Sequence, residues 1–292
     1  MAEARAAKSG FGSILSAWRG ARRLSQLELA LATGISQRHI SFVESGRAQP
    51  SRELIVKLAH GLDLPLRTRN ELFLAAGYAP VYGERRLDLA EMKPVREALE
   101  RILDHHEPYP AIVTDRWWNV VLLNNAAKRI VGACLAAHGK CPALPSGEMN
   151  FMRLMFSEEL MRPSIANWGE MRGMLLHRLR REAMAIPGSP SDELWREFGG
   201  GDAAANSGAF SVERALDPVL PLELRIGDAH LRLFAMFTSF GTSQDVALQE
   251  LRIDMSFPAD EATRQFLLNA ADEGMEGALE RQAQLALAAG SA

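Results

Sequence analysis

The sequence predicts two folded parts of different class: an all-α, five-helix helix-turn-helix domain over residues 1–83, and an α+β domain with a five-stranded antiparallel sheet over residues 105–274. Three observations lead there. The length of 292 residues exceeds a typical domain of roughly 100–200 residues. Hydrophobic periodicity changes near His105 from helical spacing to strict alternation. Charge divides at about the same place, with 11 Lys+Arg against 6 Asp+Glu in residues 1–83 and 22 against 30 in the remainder. A basic end on an acidic body suits a polyanionic partner for the first part alone. Residues 84–104 are expected to form a connector helix and residues 275–292 a C-terminal helical tail.

Phe11, Ile14, Leu15 and Trp18 recur at i, i+3, i+4 and i+7, so the first helix has one buried face. Ser25-Gln26-Leu27-Glu28 has capping-box form and starts a second helix. Gly34 permits a left-handed C-cap that ends it. Ser36 is a fresh N-cap, and Ile40 and Val43 mark the inward side of a third helix that stops at Gly46. Leu54, Ile55, Leu58, Ala59 and Leu62 outline a fourth helix, and Leu66 to Gly77 a fifth, broken by Gly77-Tyr78-Ala79-Pro80.

Two short helices across a tight glycine turn form a helix-turn-helix unit, whose second helix can enter a DNA major groove. Ala30 is small where the helices touch, and Leu29, Ile35, Ile40 and Val43 fall where the unit needs apolar contacts. A hairpin packed against some other element would use the same caps, but would not require all these positions to fall in register. The outward residues are Ser36, Gln37, Arg38, Ser41, Phe42 and Ser45. Gln suits adenine, Arg suits guanine, and an aromatic ring can touch a thymine methyl.

The run from Ser25 to Gly46, continued by Arg47-Ala48-Gln49-Pro50-Ser51, resembles the phage-repressor-type (XRE) five-helix DNA-binding domain. That resemblance implies double-stranded DNA as partner, a phosphate contact from Gln26, and a structural ion pair between Arg19 and Glu44. Arg47 and Ser51 are further phosphate candidates, and two-fold operators make a homodimer the expected state.

The connector carries Leu89, Met92, Val95, Leu99, Ile102 and Leu103 at helical spacing, with Pro94 in its first turns. Ala111 to Thr114, the turn Asp115-Arg116, and Trp117 to Leu123 then read as strand, turn and strand. Leu220 to Ile226, Leu231 to Phe237 and Leu251 to Phe257 alternate as three more strands. Between the first two and the last three lie helical segments at Phe151 to Met161, Ile165 to Met184 and Asp192 to Phe198.

The strand over 229–240 is apolar on both sides, with Phe234, Met236 and Phe240 opposite Leu231, Leu233 and Phe237. We expect one set in the core and the other across a cavity from the inserted helices. Trp118, Met152, Met155, Met171 and Leu175, with Phe234, Met236 and Phe240, are the pocket candidates, methionine being an adaptable lining for apolar ligands. A filled core explains the same residues equally well.

His105, Glu107-Pro108-Tyr109-Pro110-Ala111, Asp115-Arg116-Trp117-Trp118-Asn119-Val120 and Asn124-Asn125-Ala126-Ala127 are similar to the MmyB-like transcription regulators, as are Ser41 to Arg47 and Pro50-Ser51-Arg52-Glu53 upstream. In that family an XRE domain is joined to a PAS-like ligand-binding domain. The similarity covers nearly the whole chain and is tightest over residues 25–130; beyond residue 145 it is one of architecture. It implies a PAS-like sheet and a mostly apolar site for a hydrophobic small molecule, fatty-acid-like ligands being the candidates; separately, the sequence carries no PAS-type cofactor signature such as a flavin-reactive cysteine, so no cofactor is expected.

Other chemistry finds little support. Hydrophobic content of 47% with 24% charged residues is ordinary, and no stretch approaches the ~18 apolar residues of a membrane span. Met1 to Gly10 lacks an apolar core segment, so no signal peptide is expected, and two cysteines suit a reducing, cytoplasmic setting. Cys134, His138 and Cys141 fall short of a structural zinc set, so no metal is expected. His105-His106-Glu107 reads as structural, because adjacent histidines diverge. Gly199-Gly200-Gly201 lacks the context of a phosphate loop, and no nucleophile elbow or metal-binding helix pair occurs, so no catalytic residue is assigned and an enzyme is not expected. The sequence therefore leads to a ligand-responsive transcription regulator. The alternatives are a regulator whose second domain serves only dimerisation or protein interaction, and an enzyme that turns over what it binds.

Overall fold

In the computed structural model, which describes residues 2–139, 149–186, 188–199, 219–241 and 243–290, five helices open the chain: α1 (Ala2–Ala21), α2 (Gln26–Thr33), α3 (Gln37–Glu44), α4 (Arg52–Gly61) and α5 (Leu66–Ala75). Their ends lie where the caps direct. The Glu28 N–H donates to Ser25 Oγ at 3.1 Å and the Ser25 N–H donates to Glu28 Oε2 at 2.6 Å, which closes the capping box. Gly34 follows with φ of 69°, the left-handed region that glycine enters freely. Ser36 Oγ accepts from the His39 N–H and starts α3. Phe11, Leu15, Leu29, Ile40, Val43, Ile55, Leu58 and Phe73 meet in one core, each burial contributing about 1.5–3 kcal/mol.

The chain divides into two units, Met1–Leu89 with Phe240–Glu250, and Ala90–Ser239 with Leu251–Ala292. The division at Leu89 lies a few residues beyond the expected limit at Gly83. The returning segment was not foreseen. It is tied to the first unit by the Leu66 N–H donating to Gln249 Oε1 at 2.7 Å, by Arg67 Nε on Glu250 Oε1 at 2.9 Å, and by the Val246 N–H on the Gly83 carbonyl at 2.8 Å.

The second unit begins with α6 (Lys93–His105), which starts later than the periodicity alone indicated. Pro94 sits in its first turn, and a short 3-10 turn over Ala90–Met92 precedes it. Then come β1 (Ala111–Thr114), β2 (Val120–Leu123), α7 (Asn125–Ala137), α8 (Phe151–Phe156), α9 (Trp168–Ala185), α10 (Pro190–Gly199), β3 (Leu222–Ile226), β4 (Ala229–Thr238), the short α11 (Val246–Glu250) within the returning segment, β5 (Arg252–Pro258), α12 (Glu261–Asp272) and α13 (Gly274–Gly290). The five strands form one antiparallel sheet of order β2-β1-β5-β4-β3.

β2 starts at Val120 rather than Trp117. The Trp117 and Asn119 N–H groups both donate to Asp115 Oδ1, an Asx-type turn that takes these residues out of the strand. Asn124 and Asp260 cap α7 and α12, two helices that strand-centred reading passed over. Cys134 is fully buried on α7, and burial pushes its thiol up to about 11. A neutral thiol in such a setting behaves as a small apolar side chain. Cys141, the third member of the weighed metal set, lies outside the described residues, as does most of the glycine run at Gly199-Gly200-Gly201. No helix among the described residues is long and apolar enough to cross a membrane.

Candidate functional site

Among the described residues, two features can do chemistry on a partner: the outer face of α3 in the first unit, and a cavity in the second.

Ile40 and Val43 hold α3 to the core. Its C-terminal end is fixed by Glu44, which accepts from Arg19 Nε at 2.7 Å and Arg19 Nη2 at 3.1 Å, while Arg19 Nη1 donates to the Leu24 carbonyl at 2.8 Å. The Glu44 hydrogen bond raises the Arg19 guanidinium further above its ordinary value. Gln26, expected on a phosphate, donates through Nε2 to Glu44 Oε2 at 2.6 Å. An amide nitrogen carries two hydrogens, so the bond to Glu44 orients the side chain and leaves a second N–H for a ligand.

Gln37, Arg38, Ser45 and Arg47 are exposed, and Ser41 and Phe42 half-buried. The Phe42 ring has contacts beyond the expected one. The Arg38 and Arg47 guanidinium groups lie over it at 5.3 and 5.9 Å, so it serves as a platform that aims two cations outward, at about 0.5–1 kcal/mol per contact. Ser45 Oγ donates to the Ser41 carbonyl at 2.8 Å, which spends its proton inside the helix and leaves only acceptor capacity. Ser36 spends an acceptor as N-cap and keeps its O–H.

The second unit holds a partly open cavity of about 290 Å³ between one face of the sheet and α7, α8 and α9. Trp118, Met155, Met171 and Leu175 line it, but four other sequence candidates do not. Met152 is buried in the surrounding core. Phe234 and Met236 lie on the opposite face of β4, where Phe234 stacks on Phe257 at 5.5 Å. Phe240 belongs to the segment returning to the first unit. The cavity face of β4 carries Leu233, Ala235 and Phe237 instead. Both sets are apolar and a strand's faces alternate strictly, so assigning the wrong one displaces every residue at once.

One end of the cavity is polar. Arg178 of α9 lies between the rings of Trp118 and Phe237, at 4.4 and 4.3 Å, and desolvation pushes its guanidinium below the ordinary value. Asp254 and Ser256 of β5 stand on the adjoining wall. Sequence reading passed over Arg178 and Asp254. Their signal was charge inside an apolar pattern: Asp254 falls among alternating apolar residues, and of the arginines of α9 it is Arg178 that lines the cavity.

Residues 95–269 match the profile of a family described as MmyB-like transcription regulator ligand binding domain, and residues 15–68 match a helix-turn-helix profile. An uncharacterized HTH-type transcriptional regulator of Mycobacterium tuberculosis is 30% identical over 137 residues, 47% of this chain and 50% of the relative. The uncharacterized HTH-type transcriptional regulator RghRB of Bacillus subtilis is 36% identical over 107 residues, 36% of this chain and 68% of the relative. The chain thus spans about half the length of the mycobacterial relative. An RNA-binding light-oxygen-voltage receptor of known structure aligns with 97% of this chain and 65% of its own at 13% identity, with a TM-score of 0.26, too low to relate the two folds.

Proposed function

The chain belongs to the MmyB-like transcription regulators, and from that premise we propose that it binds double-stranded DNA through α3 and senses a hydrophobic small molecule in the cavity of its second unit. The cavity carries the reading. Walls of Leu, Ile, Met and aromatic side chains around about 290 Å³ suit an alkyl chain. A fatty acyl chain is the candidate ligand. A homodimer fits the first unit, since one recognition helix gives little affinity and a two-fold operator adds the binding free energy of a second half-site.

Denaturing extraction of the purified protein followed by mass spectrometry tests this. A co-purifying apolar molecule whose removal changes operator affinity is the expected outcome. An extract with no such molecule, from a protein whose operator affinity also ignores added alkyl ligands, would leave a DNA-binding module whose second unit serves only protein interaction.

Within the DNA contact, Gln26, Arg47 and Ser51 would hold phosphates and make affinity fall with salt, while Gln37, Arg38, Ser41 and Phe42 would read bases. Arg38→Ala is expected to lower the preference for operator over random DNA by about 1–3 kcal/mol in a competition gel-shift. Equal loss on both DNAs would reassign Arg38 to the phosphates.

A further inference from the structure

At the polar end of the cavity Arg178 and Asp254 stand on the wall, with Glu182 and Arg252 behind them and Arg181 of α9 close enough to Arg178 to act on its charge. Glu182 is fully engaged. Its Oε2 accepts from Trp118 Nε1 at 2.9 Å and Ser191 Oγ at 3.0 Å, and its Oε1 accepts from Arg252 Nη2 at 2.9 Å. Asp254 is not. Its Oδ1 is buried without a hydrogen-bond partner among the described residues, as is Arg252 Nη1. A buried acceptor left unmet is costly, the more so when charged, and in a native structure such an atom calls for a reason.

The cavity supplies one. Asp254 borders it, and an aspartate carboxyl torsion is broad and two-fold, so either oxygen can turn to an occupant. Arg178 borders it too. It approaches Glu182 at 3.8 Å, beyond hydrogen-bond reach, and its flat guanidinium is held between two rings with donors at its edge. The occupant therefore meets an acceptor and a donor together.

Taking the cavity as the ligand site, we propose that its ligand is a medium-length alkyl chain ending in an uncharged head group that both donates and accepts hydrogen bonds, an alcohol or a primary amide, in preference to a carboxylate. Such a head donates to Asp254 and accepts from Arg178. A carboxylate answers Arg178 alone and sets a second negative charge beside Asp254 in an apolar cavity. An ester accepts but leaves Asp254 unmet. Burial pushes the Asp254 carboxyl up to about 6, with Arg178 opposing the rise, so at pH 7.5 the group is still mostly ionised and the charge argument holds there.

The test is calorimetric titration of the full chain, stripped of bound lipid, with decanamide, decan-1-ol, methyl decanoate and decanoate at pH 7.5. The amide and the alcohol are expected to bind about tenfold or more tighter than the other two, the value of one well-formed hydrogen bond to a charged group. Asp254→Asn, which replaces an acceptor with an amide that also donates, is expected to bring the ester and decanoate to within about threefold of decanamide. Decanoate binding as tightly as decanamide, or an unaltered ranking in Asp254→Asn, overturns the head-group assignment while the cavity stands as a ligand site. No binding of any of the four by folded protein overturns both.

Discussion

Gly12→Ala is expected to destabilise the first unit by about 2–3 kcal/mol, although alanine is the better helix former. Gly12 lies inside α1 where that helix crosses the end of α3, and a Cβ there would fall 2.0 Å from the Glu44 carbonyl oxygen and 2.8 Å from its carbon. Both are backbone atoms, so no rotamer change relieves the clash, and α1 must lift away. Overpacking of this kind costs about 1–3 kcal/mol. Lifting α1 also loosens the Arg19–Glu44 hydrogen bonds, worth about 1.5–3 kcal/mol as bonds between charged groups. Against these stands a gain of about 1 kcal/mol for alanine over glycine. At about 4–8 °C per kcal/mol for a domain of this size, the melting transition of this unit should fall by roughly 10 °C or more in scanning calorimetry. Gly20 of the same helix has nothing within 4 Å of its virtual Cβ, and Gly20→Ala should leave the transition unchanged or slightly raised. If both variants melt alike, the close crossing of α1 and α3 is not what Gly12 is for.

The contrast between the two units shows where sequence alone suffices. In the first, each boundary depends on a local event: Ser25 with Glu28, Gly34, Ser36. Caps act within four residues of chain, so they can be read without knowing the fold. The Arg19–Glu44 pairing, 25 residues apart, came from family resemblance rather than from any local rule, and the role of Gly12 came from neither, because the carbonyl it avoids belongs to another helix. In the second unit, the five-stranded sheet is legible as alternation. Which face of β4 meets the cavity is not, since Phe234 and Met236 are as apolar as Leu233 and Phe237. The decision is made by α7, α8 and α9, which cover one side only, and coverage is a tertiary fact. Asn124 and Asp260 illustrate the opposite case, caps that were present in the sequence and whose helices could have been read from them.

Trp118→Ala is expected to have the largest effect in the second unit, about 3–5 kcal/mol of stability together with loss of the cavity's shape. Trp118 is almost wholly buried, stacks on Phe151 at 6.0 Å, and lies beneath both Arg178 and Arg252, at 4.4 and 4.7 Å. Its indole N–H donates to Glu182, so it joins the apolar wall to the charged end. Its φ of 69° is unusual for a residue with a side chain, and a conformation of that sort persists at about 1–3 kcal/mol only where the surroundings fix it. Alanine keeps the unfavourable backbone and gives up the contacts that hold it. Trp118→Phe separates the two roles. It retains an aromatic ring under the arginines and removes one donor from Glu182, which still accepts from Ser191 and Arg252. Its cost should be about 1–2 kcal/mol, with alkyl-ligand affinity reduced but measurable. Denaturant titration of the two variants beside the parent chain decides the matter. Should Trp118→Ala lie within about 1 kcal/mol of the parent, the wall must be held by α9 and the sheet without it. Should Trp118→Phe match Trp118→Ala, the indole bond to Glu182, rather than the ring, is what holds the charged end in place.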